Sequence, residues 1–126
     1  MNIPSHPRIQ HLGFVSETKK QTLIKHSACI VNPSPLESLS MIVIEGMMLK
    51  RPVLVNKECP VLNDYVEAAQ SVKGYLNQEE FNKSLTDILQ TDWTTKEQES
   101  QLTAAKAWAE KHYSWQEVLA TYKSVV

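Results

Sequence analysis

Two glutamates with the spacing Glu37-x7-Glu45 mark the part of the chain whose residue types suit chemistry. They surround the point where an apolar stretch of strand length ends, a Pro-rich turn follows, and an apolar helix is predicted to begin. The first turn of a helix offers unpaired backbone N–H groups and the positive end of the helix dipole. This arrangement predicts a binding site for a phosphate group.

Glu45 is the only charged residue in an otherwise apolar predicted helix, about 12 Å from Glu37 at the helical rise per residue. Burying a bare carboxylate is costly, so Glu45 must be ion-paired, hydrogen-bonded or open to a cleft. On spacing alone, a structural ion pair with Lys50 or Arg51 and a functional role carry equal weight. Glu37 taken alone is a loop carboxylate that stabilises a helix N-terminus by about 0.5 kcal/mol.

The composition describes an ordinary globular domain and excludes several classes of protein. The 126 residues fit one domain, and 42% hydrophobic with 21% charged residues indicates a folded chain. A net charge of −1 argues against a nucleic-acid partner, because nucleic-acid binders carry a basic surface. No apolar run approaches the length of a membrane span, and Met1–Gln10 holds no signal-peptide core. These features favour a cytoplasmic location.

Glycine, cysteine and histidine usage excludes further kinds of site. Three widely separated glycines, Gly13, Gly46 and Gly74, cannot build a dinucleotide fingerprint or a P-loop. Two cysteines outside any Cys/His cluster support neither a disulfide scaffold nor a zinc site. The sequence therefore predicts no metal site. The histidines, interpreted as surface or packing residues, are His6, His11, His26 and His112.

Predicted strands alternate with predicted helices, which indicates an α/β fold with a parallel sheet of about four strands and helices on both faces. The predicted strands are Ile9–Phe14, Ala28–Asn32, Pro52–Asn56 and Val72–Leu76. The predicted helices cover residues 16–26, 38–49, 61–69, 77–89 and 95–111, with a last one after the capping box Ser114-x-x-Glu117. Ligands bind beyond the carboxyl ends of such strands, where the Pro33–Ser40 turn lies.

The motif Glu37-x7-Glu45 resembles the EX7E motif of retaining glycosyltransferases of the GT-B fold, family four. The likeness runs from about Ile9 to Tyr122, in the family's order. Its other segments are Leu12-Gly-Phe-Val-Ser16, Cys29-Ile-Val-Asn-Pro-Ser34, Arg51-Pro-Val-Leu-Val55, Gly74-Tyr-Leu76 followed by Glu79-Glu-Phe81, and Tyr113-Ser-Trp115. The resemblance implies a partial Rossmann-like, donor-binding C-terminal domain. It would span residues 1–126, with 1–8 as a leader, 9–90 as the α/β core and 95–125 as C-terminal helices.

The resemblance also implies roles toward a nucleotide-sugar, such as a UDP- or GDP-sugar, which is a substrate and not a cofactor. Glu37, as the catalytic residue, would contact the hexosyl group that is transferred. Glu45 would bind the ribose hydroxyls, residues 39–41 would turn backbone N–H groups toward the diphosphate, and main-chain atoms near Val15 would hold the base. No metal and no protein nucleophile are implied. The full donor-binding set is Val15, Ser34, Ser38, Leu39, Ser40, Met41 and Glu45.

The chain departs from the family's pattern in residues and in extent. Ser40 stands where many members carry Gly, and Lys50-Arg51 stands where a Gly usually closes the helix. The family's first two strands of this domain, an Arg/Lys pair and the acceptor-binding N-terminal domain have no counterpart. The acceptor is unknown, and peripheral membrane contact is an expectation for a full enzyme.

A partial domain of this kind is expected to associate with another polypeptide. The missing N-terminal half or another chain would complete it. The apolar edge of Ala28–Asn32 needs a neighbour, which is either the Ile9–Phe14 strand of the same chain or a second copy, and we favour a homodimer. The chain alone is expected not to turn over donor. The alternative function, from a different class, is a non-catalytic interaction module or partner subunit that keeps the fold.

Overall fold

The computed structural model describes residues 3–113 and confirms the α/β class. None of the helices in this range is long and apolar enough to cross a membrane. The predicted helix after Ser114 lies outside the described residues. The elements in chain order are α1 (Glu17–Lys25), β1 (Ile30–Asn32), α2 (Met41–Met48), β2 (Val53–Asn56), α3 (Pro60–Ala68), β3 (Val72–Tyr75), α4 (Gln78–Gln90) and α5 (Lys96–Tyr113).

The three strands form one parallel sheet in the order β1-β2-β3, in which Ile30 lies beside Val53. The first three residues of β2 are each 0% exposed, so this central strand is covered on both faces. Such a strand is apolar throughout, which explains why residues 53–55 show no alternation of apolar and polar side chains. β1 is an edge strand, and its Val31 is 39% exposed.

The strand predicted at Ile9–Phe14 does not form, so the sheet described over residues 3–113 has three strands and not four. Gly13 adopts a left-handed conformation with φ 62°, which an extended strand cannot contain. The apolar side chains of this segment remain exposed, and Phe14 is fully so. A strand needs a neighbour for its backbone hydrogen bonds, and this segment has none among the described residues.

The predicted starts of α1 and α4 are confirmed by their capping hydrogen bonds. The Ser16 hydroxyl accepts from the Lys19 N–H at 3.2 Å, and Asn77 Oδ1 accepts from the Glu80 N–H at 2.9 Å. The Glu80 carboxylate in turn accepts the N–H of Leu76 at 2.7 Å. Each of these contacts satisfies a donor that has no partner within the helix.

α2 begins at Met41 and not at Ser38, because Ser40 has φ 63° and therefore cannot belong to a right-handed helix. From there α2 packs against β1 and β2 on one side and against α5 on the other. Gly46 permits the close approach to the sheet. A Cβ atom at this position would lie 3.2 Å from Val53 Cγ2 and 3.3 Å from Ile30 Cγ1.

The core lies between the sheet and the helices α2, α3 and α5. Its largest fully buried side chain is Tyr65, which packs edge-on against Trp108 with 5.9 Å between ring centroids. Edge-to-face aromatic pairs stabilise a core beyond the area they bury. Further buried members are Val43, Ile44, Met47, Val53, Val55, Cys59, Leu62, Ala69, Val72, Ala105 and Ala109.

We expect Gly46→Ala to lower the free energy of unfolding by about 1 kcal/mol, because overpacking outweighs the better helix propensity of alanine. Gly46→Val should cost more, since it adds two further methyl groups against the sheet. Thr103→Ala, at an exposed position of α5, is the control that gains propensity without a new contact. Urea denaturation measures all three, and a Gly46→Ala variant at least as stable as the parent would contradict the close approach.

Candidate functional site

Asn32, the last residue of β1, organises the loop at the carboxyl end of the sheet. Its side chain is buried, with 6% of the residue exposed. Its Nδ2 donates to Glu37 Oε1 at 3.1 Å and to Ser40 Oγ at 2.7 Å, and its Oδ1 accepts from the Ser34 N–H at 3.1 Å. One carboxamide therefore ties together three of the residues that the sequence placed in the site.

Sequence reasoning missed Asn32 as a site residue. The available signal was a polar side chain at the end of an apolar strand, directly before the turn that carries the motif. A buried amide must find hydrogen-bond partners, so its position alone implies that the turn folds back onto it.

Local hydrogen bonds fix the turn between Asn32 and Glu37. The Ser34 hydroxyl donates to the Leu36 carbonyl at 2.7 Å and accepts from the Leu36 N–H at 3.3 Å. Asn56 Nδ2, at the carboxyl end of β2, donates to the Pro33 carbonyl at 3.2 Å. The turn is thus held from within and from the neighbouring strand, and the Ser34 side chain shapes the loop.

The backbone just before α2 presents donors without protein partners. The N–H groups of Leu39, Ser40 and Met41 make no hydrogen bond to any residue in the range 3–113. The side chains of Ser38, Leu39 and Met41 are exposed, whereas Ser40 is buried. Unpaired N–H groups at the start of a helix attract anions.

Ser40 gives α2 its starting direction at a conformational cost. A left-handed conformation costs a non-glycine residue about 1–2 kcal/mol. The buried hydrogen bond from Asn32 to the Ser40 hydroxyl offsets that cost, and this hydroxyl caps no N–H of α2. A glycine, which many members of the resembled family carry here, would adopt the same φ without strain.

Tyr65, on α3, holds the loop before α2 by a hydrogen bond to its backbone. Its hydroxyl donates a hydrogen bond to the Leu39 carbonyl. Burial of the phenol, together with neighbouring Tyr113, raises the pKa of Tyr65 well above its usual value, so the hydroxyl remains a donor at any physiological pH. Sequence reasoning did not single out Tyr65, because its contact spans 26 residues of chain.

Glu45 pairs with Lys20, and neither Lys50 nor Arg51, the sequence-based candidates, is its partner. The distance from Lys20 Nζ to Glu45 Oε1 is 3.0 Å, and the Glu45 side chain is 19% exposed. The same ammonium group lies 3.0 Å from Glu17. Hydrogen bonds to Glu17 and Glu45 raise the pKa of Lys20, so both carboxylates face a cation.

The site residues fall into two groups. Ser34, Glu37 and Ser40 meet around Asn32, whereas Glu45 lies in α2 and faces α1 through Lys20. Val15 is partly buried one residue before the cap of α1, which packs against α2. Within residues 3–113, no three His, Cys, Asp or Glu side chains group closely enough to hold a metal ion.

Residues 5–109, from the segment before α1 into α5, match the family described as Glycosyl transferases group 1. The chain belongs to this family. Membership of the glycosyl transferases group 1 implies glycosyl transfer and nucleotide-sugar binding in general. The matched range includes the whole loop around Asn32 and the helix α2. No curated protein and no solved structure matches this glycosyltransferase domain.

We expect Asn32→Asp to destabilise the domain by about 2 kcal/mol at pH 7, because it sets a carboxylate against Glu37. Repulsion raises the pKa of the carboxyl pair in the folded state above its unfolded value. The folded state then binds the extra proton more tightly, so the penalty shrinks as the pH falls toward 4 and grows as it rises.

Denaturation at pH 4 and at pH 7 measures this difference. Asn32→Ala is the control, since it loses the same hydrogen bonds without adding a charge and its penalty should be similar at both pH values. An Asn32→Asp penalty that does not change with pH would show that Glu37 does not face residue 32.

Proposed function

We propose that this chain forms the donor-binding part of a retaining glycosyltransferase that transfers a hexosyl group from a nucleotide-sugar. The observation that carries the proposal is the loop tied by Asn32. One amide nitrogen holds both Glu37 and Ser40, and the N–H groups at the start of α2 have no partner among residues 3–113. The family match and the location at the carboxyl ends of parallel strands support it.

The diphosphate of the donor would bind at the start of α2. Backbone N–H groups at Leu39, Ser40 and Met41 are available there, and the helix dipole adds positive potential. Such donors stabilise the negative charge that develops on the leaving diphosphate. Ser38 is exposed beside them, and Ser34 keeps the turn in the required shape.

Glu37 would contact the donor sugar. One of its carboxylate oxygens, Oε1, accepts from Asn32, and Oε2 has no hydrogen-bond partner among residues 3–113. The free oxygen is therefore available for a sugar hydroxyl, while Asn32 fixes the plane of the carboxylate. The proposed mechanism uses no protein nucleophile and no metal ion.

Glu45 would bind the ribose hydroxyls, and main-chain atoms near Val15 would hold the base. The Glu45 side chain is 19% exposed, which leaves a ligand at α1 and α2 partial access to it. Its ion pair with Lys20 offers a competing, structural explanation for a charge in an apolar helix. The two explanations make different predictions for Lys20.

Changing Glu45→Gln should raise the Kd for UDP-glucose or GDP-mannose about 10- to 100-fold, because one or two charged hydrogen bonds are lost. Lys20→Gln is the matched control. It breaks the same ion pair but leaves the carboxylate in place, so the Kd should rise far less. Isothermal titration calorimetry measures both. Equal losses in the two variants would assign Glu45 to structure alone.

The same titrations separate the two glutamates. Glu45→Gln should weaken the binding of UDP or GDP as much as the binding of the corresponding nucleotide-sugar. Glu37→Gln should weaken the binding of the nucleotide-sugar only. A parent protein that binds none of these ligands would refute the proposed function.

The second candidate function, a non-catalytic interaction module, is favoured by one observation. β1 is an edge strand whose Ile30 N–H donates to the Pro52 carbonyl on the β2 side, at 3.0 Å. Because donors alternate along a strand, the Val31 N–H faces the side of β1 that has no neighbouring strand among residues 3–113. An apolar edge with unpaired donors is an association surface, and we propose a homodimer through it.

Light scattering tests this association. Val31→Pro removes the N–H at the open edge without touching the bonds to β2, so it should convert a dimer into a monomer. Val31→Thr keeps the N–H and the strand propensity and should remain dimeric. A parent chain that stays monomeric at every concentration would refute the homodimer. Dimerisation without nucleotide-sugar binding would favour the interaction module over the transferase.

A further inference from the structure

A cavity lies at the opposite end of α2 from the loop around Asn32. It has a volume of about 390 Å³, which falls within the range of small-molecule sites. Its walls come from the C-terminal ends of α1 and α2, the connection between α4 and α5, and residues 99–106 of α5. It therefore lies near the amino ends of the parallel strands, whereas the proposed donor site lies at their carboxyl ends.

The charge of this cavity is strongly positive. Four cationic side chains line it against a single carboxylate, Glu99, which pairs with Lys50. Three positive charges are left in excess. The cationic lining residues are Lys25, Lys50, Arg51 and Lys106.

Helix ends explain only part of this charge. Lys25 and Lys50 lie at the C-terminal ends of α1 and α2, where cations are favourable in any protein. Lys106 lies in the interior of α5, so the dipole of a helix end does not account for it. Its contact with Glu110, at 3.9 Å, is long for an ion pair.

The guanidinium group of Arg51 makes few hydrogen bonds to the protein. Its Nη1 donates to the Ser27 carbonyl at 3.5 Å, a long contact, and its Nε is fully buried without an acceptor among residues 3–113. Buried donors are normally paired, and an unpaired guanidinium N–H is especially costly. A phosphate group has the oxygens that a guanidinium fork binds best.

The remaining walls of the cavity are apolar or aromatic. Met48, Leu49, Leu102 and Trp93 line it together with the cations. The Trp93 indole N–H donates to the Ile88 carbonyl at 3.0 Å, so this side chain is fixed in place. Inorganic phosphate has no apolar group that could contact these side chains. An organic phosphate has one.

We propose that this cavity binds the phosphate group of an organic phosphate, as a site separate from the donor site. Lys25, Arg51 and Lys106 contact the phosphate, and the apolar side chains contact the attached organic group. Either a soluble phosphate ester or the headgroup of an anionic lipid carries this chemistry. The experiment distinguishes the two sources.

Isothermal titration calorimetry with phenyl phosphate, inorganic phosphate and phenol tests the soluble source at constant ionic strength. Phenyl phosphate should bind saturably and more tightly than inorganic phosphate, and phenol should not bind. Lys25→Gln and Lys106→Gln should each raise the Kd about tenfold, since each removes a charged contact. The matched controls Lys19→Gln on α1 and Lys111→Gln on α5 lie outside the cavity and should change nothing.

Sedimentation with phosphatidylcholine vesicles, with and without phosphatidylglycerol, tests the lipid source. Binding that requires phosphatidylglycerol and is lost in Lys25→Gln and Lys106→Gln, but kept in both controls, would identify a lipid headgroup as the ligand. The absence of both phenyl phosphate binding and vesicle binding would overturn the proposal. So would equal effects of the cavity variants and their controls.

The cavity variants also separate this site from the donor site. Phenyl phosphate bound at the start of α2 would be unaffected by Lys25→Gln and Lys106→Gln, whose side chains line the cavity at the other end of the helix. Glu45→Gln should bind phenyl phosphate as the parent does, because Glu45 lies outside the cavity. A failure of the second site is therefore distinguishable from a failure of the proposed transferase function.

Discussion

The buried carboxamide of Asn32 is the interaction on which the rest of the site depends. The side chain is buried and has no water to bond, so the turn after β1 must supply its partners. The Ser34 N–H, the Glu37 carboxylate and the Ser40 hydroxyl do so. The position of Glu37 and the direction in which α2 leaves the loop both follow from satisfying this one amide.

α2 connects this constraint to the remainder of the domain. It has only eight residues, yet it contacts the sheet, α1 and α5. Gly46 brings it close to β1 and β2, and Lys20 links its single carboxylate to α1. Such a short helix owes its stability to packing and not to propensity. The N–H groups before its first turn have no partner among the described residues, and the basic cavity lies at its other end.

Local signals in the sequence predicted much of the fold. The caps at Ser16 and Asn77, the apolar strands and the buried helix after the Pro-rich turn were all visible, because each depends on residues close together in the chain. The prediction of a strand at Ile9–Phe14 was wrong, because a strand forms only where a neighbouring strand shares its backbone hydrogen bonds. The three-residue delay of α2 depends on the conformation of Ser40, which no periodicity reveals.

Long-range partners could not be read from the sequence either. Glu45 was singled out as a charge that needs a partner, but Lys20 was not foreseen as that partner. Asn32 and Tyr65 were likewise not foreseen as residues that hold the loop. Lys20 precedes Glu45 by 25 positions, whereas Lys50 and Arg51, which are nearer in sequence, lie beyond the C-terminal end of α2. Spacing identifies a charge that must be compensated, whereas only packing selects the residue that compensates it.

The left-handed backbone at Ser40 restricts the substitutions that are compatible with this fold. β-Branched residues are excluded at this position, and glycine is tolerated only with the loss of the hydroxyl that Asn32 binds. Replacing the serine would leave the buried amide one partner short, so a smaller or apolar residue at 32 would then become favourable. The conformation and the hydrogen bond thus couple positions 32 and 40: glycine at 40 relieves the backbone strain but removes an acceptor of the Asn32 amide.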